Sequence, residues 1–265
     1  MVDAKLSSEL TYQRERAMQQ EVRATDNLTI ERYRASRWWR LFNKEFIFKS
    51  MGDLRGKAVL DFGCGEGNLG VQIGSLGAQV LGIDISPELI DLARRRAELD
   101  HVSGHVDFQA SDILETQPPA ESFDFVVCTD ALHHVDLPRV VGILHRCLKP
   151  GGALIVKEPV SFSKTFQTVR ERLPIEIVAS PGDRQLMEAD LEDIRRPFAS
   201  SEIVYFNFLG RFSRFLPNSN RIDRGHPITK AAMLALLGLD RIVISAIPFV
   251  RRYCGEVVIV ARKAS

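Results

Sequence analysis

Val59-Leu60-Asp61-Phe62-Gly63-Cys64-Gly65-Glu66-Gly67 is the stretch on which the reading of this chain turns. A continuous apolar run, interrupted only by Asp61, breaks into glycines at alternate positions. Such a run suits a strand buried on both faces, as in a parallel sheet. Where the side chains are missing, backbone can approach a ligand closely. Leu69, Ile73 and Leu76 then share one helix face, and Gly77 fits the stop at its end. The N-terminus of that helix offers unpaired N–H groups next to the glycines.

The same alternation continues outward. Ala58 to Phe62 is the first strand and Gln79 to Ile83 the second, ending at Asp84. Ser86 is a helix N-cap, with Pro87 at the first helical position and Glu88 in the first turn. Val106 to Ala110 and Phe123 to Cys128 follow as strands. Val140, Val141, Leu144, Cys147 and Leu148 mark a helix closed by Lys149-Pro150-Gly151-Gly152, and Ala153 to Val156 is the fifth strand. Strands alternating with helices predict an α/β, doubly wound, Rossmann-like parallel sheet. Ligands then sit beyond the carboxyl ends of the strands.

Either side of this block the pattern is weaker. The first 27 residues are polar and read as a surface helix or arm. Trp38, Leu41, Phe42 and Phe46 recur at helical spacing, either as a helix packed on the core or as a lid with Tyr33 and Trp38 facing a ligand. Ser161 to Leu173 reads as helical, and Ile203 to Phe208 and Glu256 to Ala261 as strands. The segment between those strands, Arg211 to Arg252, is too long for a hairpin turn and reads as a helical cap. The expected division is an arm or lid over residues 1–50 and one domain over 51–265. Its core is about 51–160 plus 203–209 and 256–263, with a cap insertion at about 210–252.

Composition excludes several classes. Apolar residues are 45% and charged residues 26%, which is ordinary for a globular chain. Net charge is +1, so there is no whole-molecule field toward nucleic acid or an anionic membrane, although a local basic patch is compatible with it. The most membrane-like run, Ala231 to Leu237, is far shorter than the roughly 20 residues a span needs. No signal-peptide core is found, and Cys64, Cys128, Cys147 and Cys254 contain no C-x-x-C pair. These features predict a cytoplasmic protein with buried thiols. His101 and His105 have no third ligand nearby, so no metal is expected.

The glycines alone leave the ligand open. Gly65, Gly67 and Gly70 satisfy the dinucleotide pattern G-x-G-x-x-G, while Gly63, Gly65 and Gly67 satisfy G-x-G-x-G. Asp84 stands where either kind of nucleoside cofactor would offer ribose hydroxyls. Asp61 favours a cationic ligand over a pyrophosphate. Ser111-Asp112-Ile113 closes the third strand, where a carboxylate can accept from an adenine amino group.

In order, D-x-G-C-G-x-G from Asp61, G-x-D-x-S around Asp84, Ser111-Asp112, F-D-x-V from Phe123, A-L-H-H-V from Ala131 and L-K-P-G-G from Leu148 resemble the class I S-adenosylmethionine-dependent methyltransferases. They are most similar to the small-molecule type 11, or ubiquinone-biosynthesis-like, branch. The likeness covers about Gly56 to Glu158 plus the last strand. It implies a seven-stranded sheet with an antiparallel last strand, S-adenosylmethionine as cofactor and S-adenosylhomocysteine as product. Carried over, it puts Gly63, Cys64 and Gly65 at the methionine part and Asp61 near the amino group. Asp84 would hold the ribose hydroxyls and Ile85 pack on adenine. Asp112 would meet the adenine amino group with Ile113 beside the ring, and Cys128 and Thr129 would line the methionyl end.

Candidate bases are His133 and His134 after the fourth strand and Glu158 after the fifth. Tyr33, Trp38, Phe206 and Phe212 are candidates for the substrate pocket. Interleaved arginines (Arg211, Arg214, Arg221, Arg224, Arg251 and Arg252) read as a solvated face or as anion recognition. Cys128-Thr129-Asp130-Ala131 stands where methylases of base amino groups carry Asn-Pro-Pro-Tyr, which argues against nucleic acid. The expected activity is O- or C-methylation of a small apolar or aromatic acceptor, such as a natural product, quinone-like ring or isoprenoid. Rivals are a nicotinamide-dependent oxidoreductase and a non-catalytic methyltransferase-like subunit. The charged arm, Glu9 to Arg34, would serve a homo-oligomer.

Overall fold

A computed structural model describes residue 14 and residues 21–162, 185–215 and 226–265. Strands β1 (Ala58–Phe62), β2 (Gln79–Asp84), β3 (Val106–Ala110), β4 (Phe123–Thr129), β5 (Leu148–Pro159), β6 (Ser200–Phe206) and β7 (Glu256–Arg262) form one sheet. Its order is β3-β2-β1-β4-β5-β7-β6. The pairs among β1 to β5 are parallel, and β7 runs antiparallel to both β5 and β6. The chain reverses direction across the sheet at β1, between β2 and β4, so a crevice opens at that point.

Helices cover both faces: α1 (Asn27–Ala35), α2 (Asn43–Met51), α3 (Asn68–Gly74), α4 (Pro87–Leu99), α5 (Ile113–Thr116), α6 (Leu137–Cys147), α7 (Glu188–Arg195) and α8 (Pro227–Ala246). One core, including Ile47, Ile73, Ile90 and Phe108, lies on one side of the sheet. The other, including Leu60, Leu144, Leu154 and Ile259, lies on the opposite side. Ser86 caps α4, accepting from the Leu89 N–H at 3.3 Å, with Pro87 in its first turn. Asp124 of the F-D-x-V motif takes the Ala58 N–H at 3.0 Å and Lys149 Nζ at 2.7 Å, tying together the starts of β1, β4 and β5.

Several expectations change. Trp38 and Phe46 do not share a helix, because α1 ends at Ser36 in a left-handed conformation (φ 44°) and α2 starts afresh at Asn43. Lys149 to Gly152 do not close a helix but lie within β5, which runs on through Glu158. Helix α7 precedes β6 where no regular element was expected. The cap is helical, with 3-10 helices Gly210–Phe215 and Pro248–Tyr253 either side of α8. The helix expected at Ser161 to Leu173 lies almost wholly outside the described residues, as do most of the arm, Arg221 and Arg224.

Candidate active site

A cavity of about 450 Å³ opens at the carboxyl ends of the central strands. This is a usual size for a small-molecule site. Its floor is the glycine loop between β1 and α3. Gly63, Gly65 and Gly67 all have positive φ (68°, 53° and 77°), a region that favours glycine. A Cβ on Gly63 would come within 2.3 Å of the Ala131 Cβ, so the loop can pack against the turn after β4 only without one. A Cβ on Gly65 meets nothing within 4 Å, leaving open space beside the backbone.

Asp84, at the end of β2, lines the cavity with its carboxylate held in place. Oδ2 accepts the Gly65 N–H at 2.9 Å and Oδ1 the Ser86 N–H at 3.0 Å. Ile85, Leu89 and Ser111 extend this side of the wall. Asp112 is not on the wall; it caps α5, accepting the Leu114 N–H at 2.8 Å, and Ile113 is buried behind it. Cys64 and Thr129 line the cavity, whereas Cys128 is fully buried behind it. Burial pushes both thiols, Cys64 and Cys128, well above the usual range, so they stay protonated.

Asp61 does not line the cavity; it is buried behind this floor, and its Oδ2 has no hydrogen-bond partner among the described residues. Burial raises its pKa to about 7, with Asp84 adding to the rise, while the Gly70 N–H and Lys44 oppose it. A Cβ on Gly70 would stand 3.1 Å from that Oδ2, so this glycine makes room for the carboxyl.

Lys44 and Lys157, with Asn43 and Ile47, were not anticipated, and they supply the other end of the cavity. Lys44 lies on α2, 5.9 Å from the Tyr33 ring centroid, and no ion pair joins it to the described residues. Burial and the neighbouring Lys157 lower its pKa, against the attraction of Asp61 and Asp130. Lys157 is burial-penalised too, but Glu256 and Asp130 outweigh that and raise its pKa; Asp130 accepts from it at 2.6 Å. Helix α2 has no polar motif that marks it. The one available signal was a lysine beside Ile47 on an otherwise core-facing helix.

The three candidate bases separate. Glu158 is fully buried, inside β5, and accepts the Ala131 and Leu132 N–H groups at 2.8 and 2.7 Å. Its other oxygen meets His133 Nδ1 at 2.6 Å. Glu158 and His133 therefore hold the 3-10 turn Leu132–His134, and neither lines the cavity. His134 does, its ring tilted 44° to that of His133 with centroids 4.0 Å apart.

None of the four aromatic candidates lines the cavity. Tyr33 stacks on Phe48 at 4.5 Å and Phe206 packs near Phe46 at 6.2 Å, both in the core. Trp38 and Phe212 are 39% and 53% exposed.

Residues 60–156 match the family described as "Methyltransferase domain". The "Ubiquinone biosynthesis O-methyltransferase, mitochondrial" of Schizosaccharomyces pombe is 36% identical over 112 residues, which are 42% of this chain and 40% of that protein. The chain spans less than half the length of this relative. Among solved structures, geranyl diphosphate C-methyltransferase from Streptomyces coelicolor, in complex with Mg2+, geranyl diphosphate and S-adenosyl-L-homocysteine, aligns with a TM-score of 0.58 at 18% identity. That alignment covers 83% of this chain and 78% of that one. The [4+2]-cyclase SpnF aligns at a TM-score of 0.52 and 24% identity, covering 79% and 76%. At these identities the structures establish a shared fold.

Proposed function

Since residues 60–156 belong to the class I methyltransferases, in their ubiquinone-biosynthesis-like branch, we propose that this chain transfers a methyl group from S-adenosylmethionine to a small apolar or aromatic acceptor. The observation that carries the proposal is the set of polar groups gathered in and beside one cavity. Asp84 presents an anchored carboxylate to a ribose. Among the described residues, the buried Asp61 Oδ2 has no hydrogen-bond partner and Lys44 no ion-pair partner. A ligand carrying an amino group, a carboxylate and a ribose would satisfy all three. The open space at Gly65 admits its chain, and Ile85 with Leu89 forms an apolar slot for a purine. For Asp112 the proposal keeps only a contact from the rim, since its side chain is engaged as a cap.

When bound, the cofactor supplies an electrophilic methyl group on a positively charged sulfur. The protein's task is then to hold the acceptor in line, which accounts for much of the rate in favourable cases. For a hydroxyl acceptor, His134 is the one candidate base on the cavity wall, and it takes the proton as the new O–CH3 bond forms. Glu158 and His133 position it. O-methylation is the favoured outcome, because the relative at 36% identity is named for it. The isoprenoid-acting neighbour shares only the fold. Residues 1–50 act as the lid unit through Asn43, Lys44 and Ile47 rather than through Tyr33 or Trp38. We place the protein in the cytoplasm, a reducing setting that suits four free, buried cysteines; because the fission yeast relative is named mitochondrial, cell fractionation is the check.

Calorimetric titration with S-adenosylhomocysteine and, separately, NADH tests the reading. Binding of the former alone, lost in Asp84→Ala, supports it, and a screen of hydroxylated aromatic acceptors with labelled methyl donor follows. Binding of NADH alone would sink it.

A further inference from the structure

Helix α8 is apolar on two opposite faces. Met233, Leu237 and Ile244 are buried on one of them, together with Asp240, which accepts the Leu209 N–H. Met233 and Leu237 pack against Leu41 and Phe42, the residues that lead into α2. The opposite face repeats at helical spacing through Ile228, Ala235, Leu239 and Ile242. Ile228 is 74%, Leu239 51% and Ile242 66% exposed, and the following turn adds Phe249 at 62%. From Ile228 to Ile242 along this helix, the stripe is roughly 20 Å long. Isolated exposed apolar residues are ordinary, but a continuous helix face of them marks an interaction surface.

Charge says what covers it. From Asn207 to Gly255 the sequence has eight Arg or Lys against two Asp, in a chain of net charge +1. One of the two acids, Asp240, is buried on the other face. Arg251 and Arg252 are exposed in the turn that follows the stripe, whereas Lys230 lies on the side of the helix that carries Met233 and Leu237. The Arg252 guanidinium lies 5.0 Å from the Phe249 ring centroid. An apolar stripe ending in two exposed arginines suits the headgroup boundary of an anionic bilayer, where the stripe enters the acyl region and the cations meet lipid phosphates. A second copy paired in parallel register would bring the same arginines against these. No described helix is long and apolar enough to cross a membrane, so the helix would lie in the interface plane.

We propose that the outer face of α8, with Phe249, Arg251 and Arg252, docks the protein on anionic lipid bilayers. The test is co-sedimentation of the full chain with extruded vesicles of phosphatidylcholine, with and without phosphatidylglycerol. Binding is expected only with the anionic lipid, weakening as salt rises. Arg251→Glu with Arg252→Glu, on exposed positions, should weaken it by about tenfold or more. Leu239→Glu with Ile242→Glu should abolish it while the melting temperature and S-adenosylhomocysteine binding stay unchanged. Failure of the parent chain to sediment with anionic vesicles would overturn the proposal, as would arginine variants that bind like the parent. A concentration-dependent dimer in analytical ultracentrifugation, dissolved by the Leu239 and Ile242 changes, would assign the face to self-association instead.

Discussion

Asp61 shows how a site residue can oppose the fold that carries it. Its pKa in the folded protein is about 7 against an ordinary 3.8. Between those values the folded chain keeps a proton that the unfolded chain releases, so stability of the empty protein falls as pH rises from about 4 to 7. The cost at pH 8 is on the order of a few kcal/mol. Asp61→Asn should therefore melt above the parent at pH 8, with the gap closing near pH 4. It should also bind S-adenosylhomocysteine about tenfold or more weakly, since charge-assisted hydrogen bonds are the stronger kind. Thermal melts across pH and calorimetry read the two effects separately. Glu158 and His134 make a contrasting pair. Glu158→Ala removes the acceptor that the Ala131 and Leu132 N–H groups and His133 share, so a loss of about 3 kcal/mol or more is expected in denaturant melts. His134→Ala should leave the melt in place and lower kcat for a hydroxyl acceptor by roughly 100-fold, within the range of general-base contributions. A retained kcat would remove His134 as the base. Both histidines were legible in A-L-H-H-V, but the sequence could not say which one faces the cavity. That is decided by Glu158, a residue from another strand.

At the scale of elements, what could be read from sequence was what repeats. The strands from Ala58 to Val156 are short apolar runs punctuated by glycine, proline and capping residues; the first four appear with near-identical ends, while the fifth extends to Leu148–Pro159. Around α2 the signal failed for a physical reason. Trp38, Leu41, Phe42 and Phe46 keep helical spacing, but Ser36 turns left-handed and restarts the chain. The turn is held from a distance by Glu45, which is fully buried and accepts from Arg32 Nε and the Trp38 N–H, each at 2.6 Å. A spacing pattern contains no trace of such a contact. Its consequence reaches the site, because the same helix carries Asn43, Lys44 and Ile47. Glu45→Ala leaves Arg32 and the Trp38 N–H without their acceptor, and a loss of about 3–5 kcal/mol is expected. Affinity for S-adenosylhomocysteine should fall with it, although Glu45 does not line the cavity. Lys44→Met should lower affinity without lowering the melting temperature, because a burial-penalised cation is removed. If the Glu45 variant binds like the parent, α2 does not depend on this anchor.

Across the whole molecule, one cavity is walled by segments far apart in the chain. These are α2, the loop after β1, the ends of β2, β3 and β4, and Lys157 of β5. The sheet order made their convergence predictable for the central strands, since all of them end on the same side. It did not predict which residues of the arm reach the wall or that the outer face of α8 is apolar, because both lie outside the sheet. A ligand that touches every segment of that wall binds the folded chain and not the unfolded one, so it must stabilise the whole. At 100 times its dissociation constant the gain is about 2.7 kcal/mol. For a chain of this size that corresponds to a rise of roughly 5–10 °C in melting temperature. S-adenosylhomocysteine should produce this shift in the parent and none in Asp84→Ala at the same concentration, while NADH should produce none in either. Equal shifts from both ligands would mean that the cavity reads only the shared adenosine, and that the Asp61 and Lys44 end contributes nothing to selection.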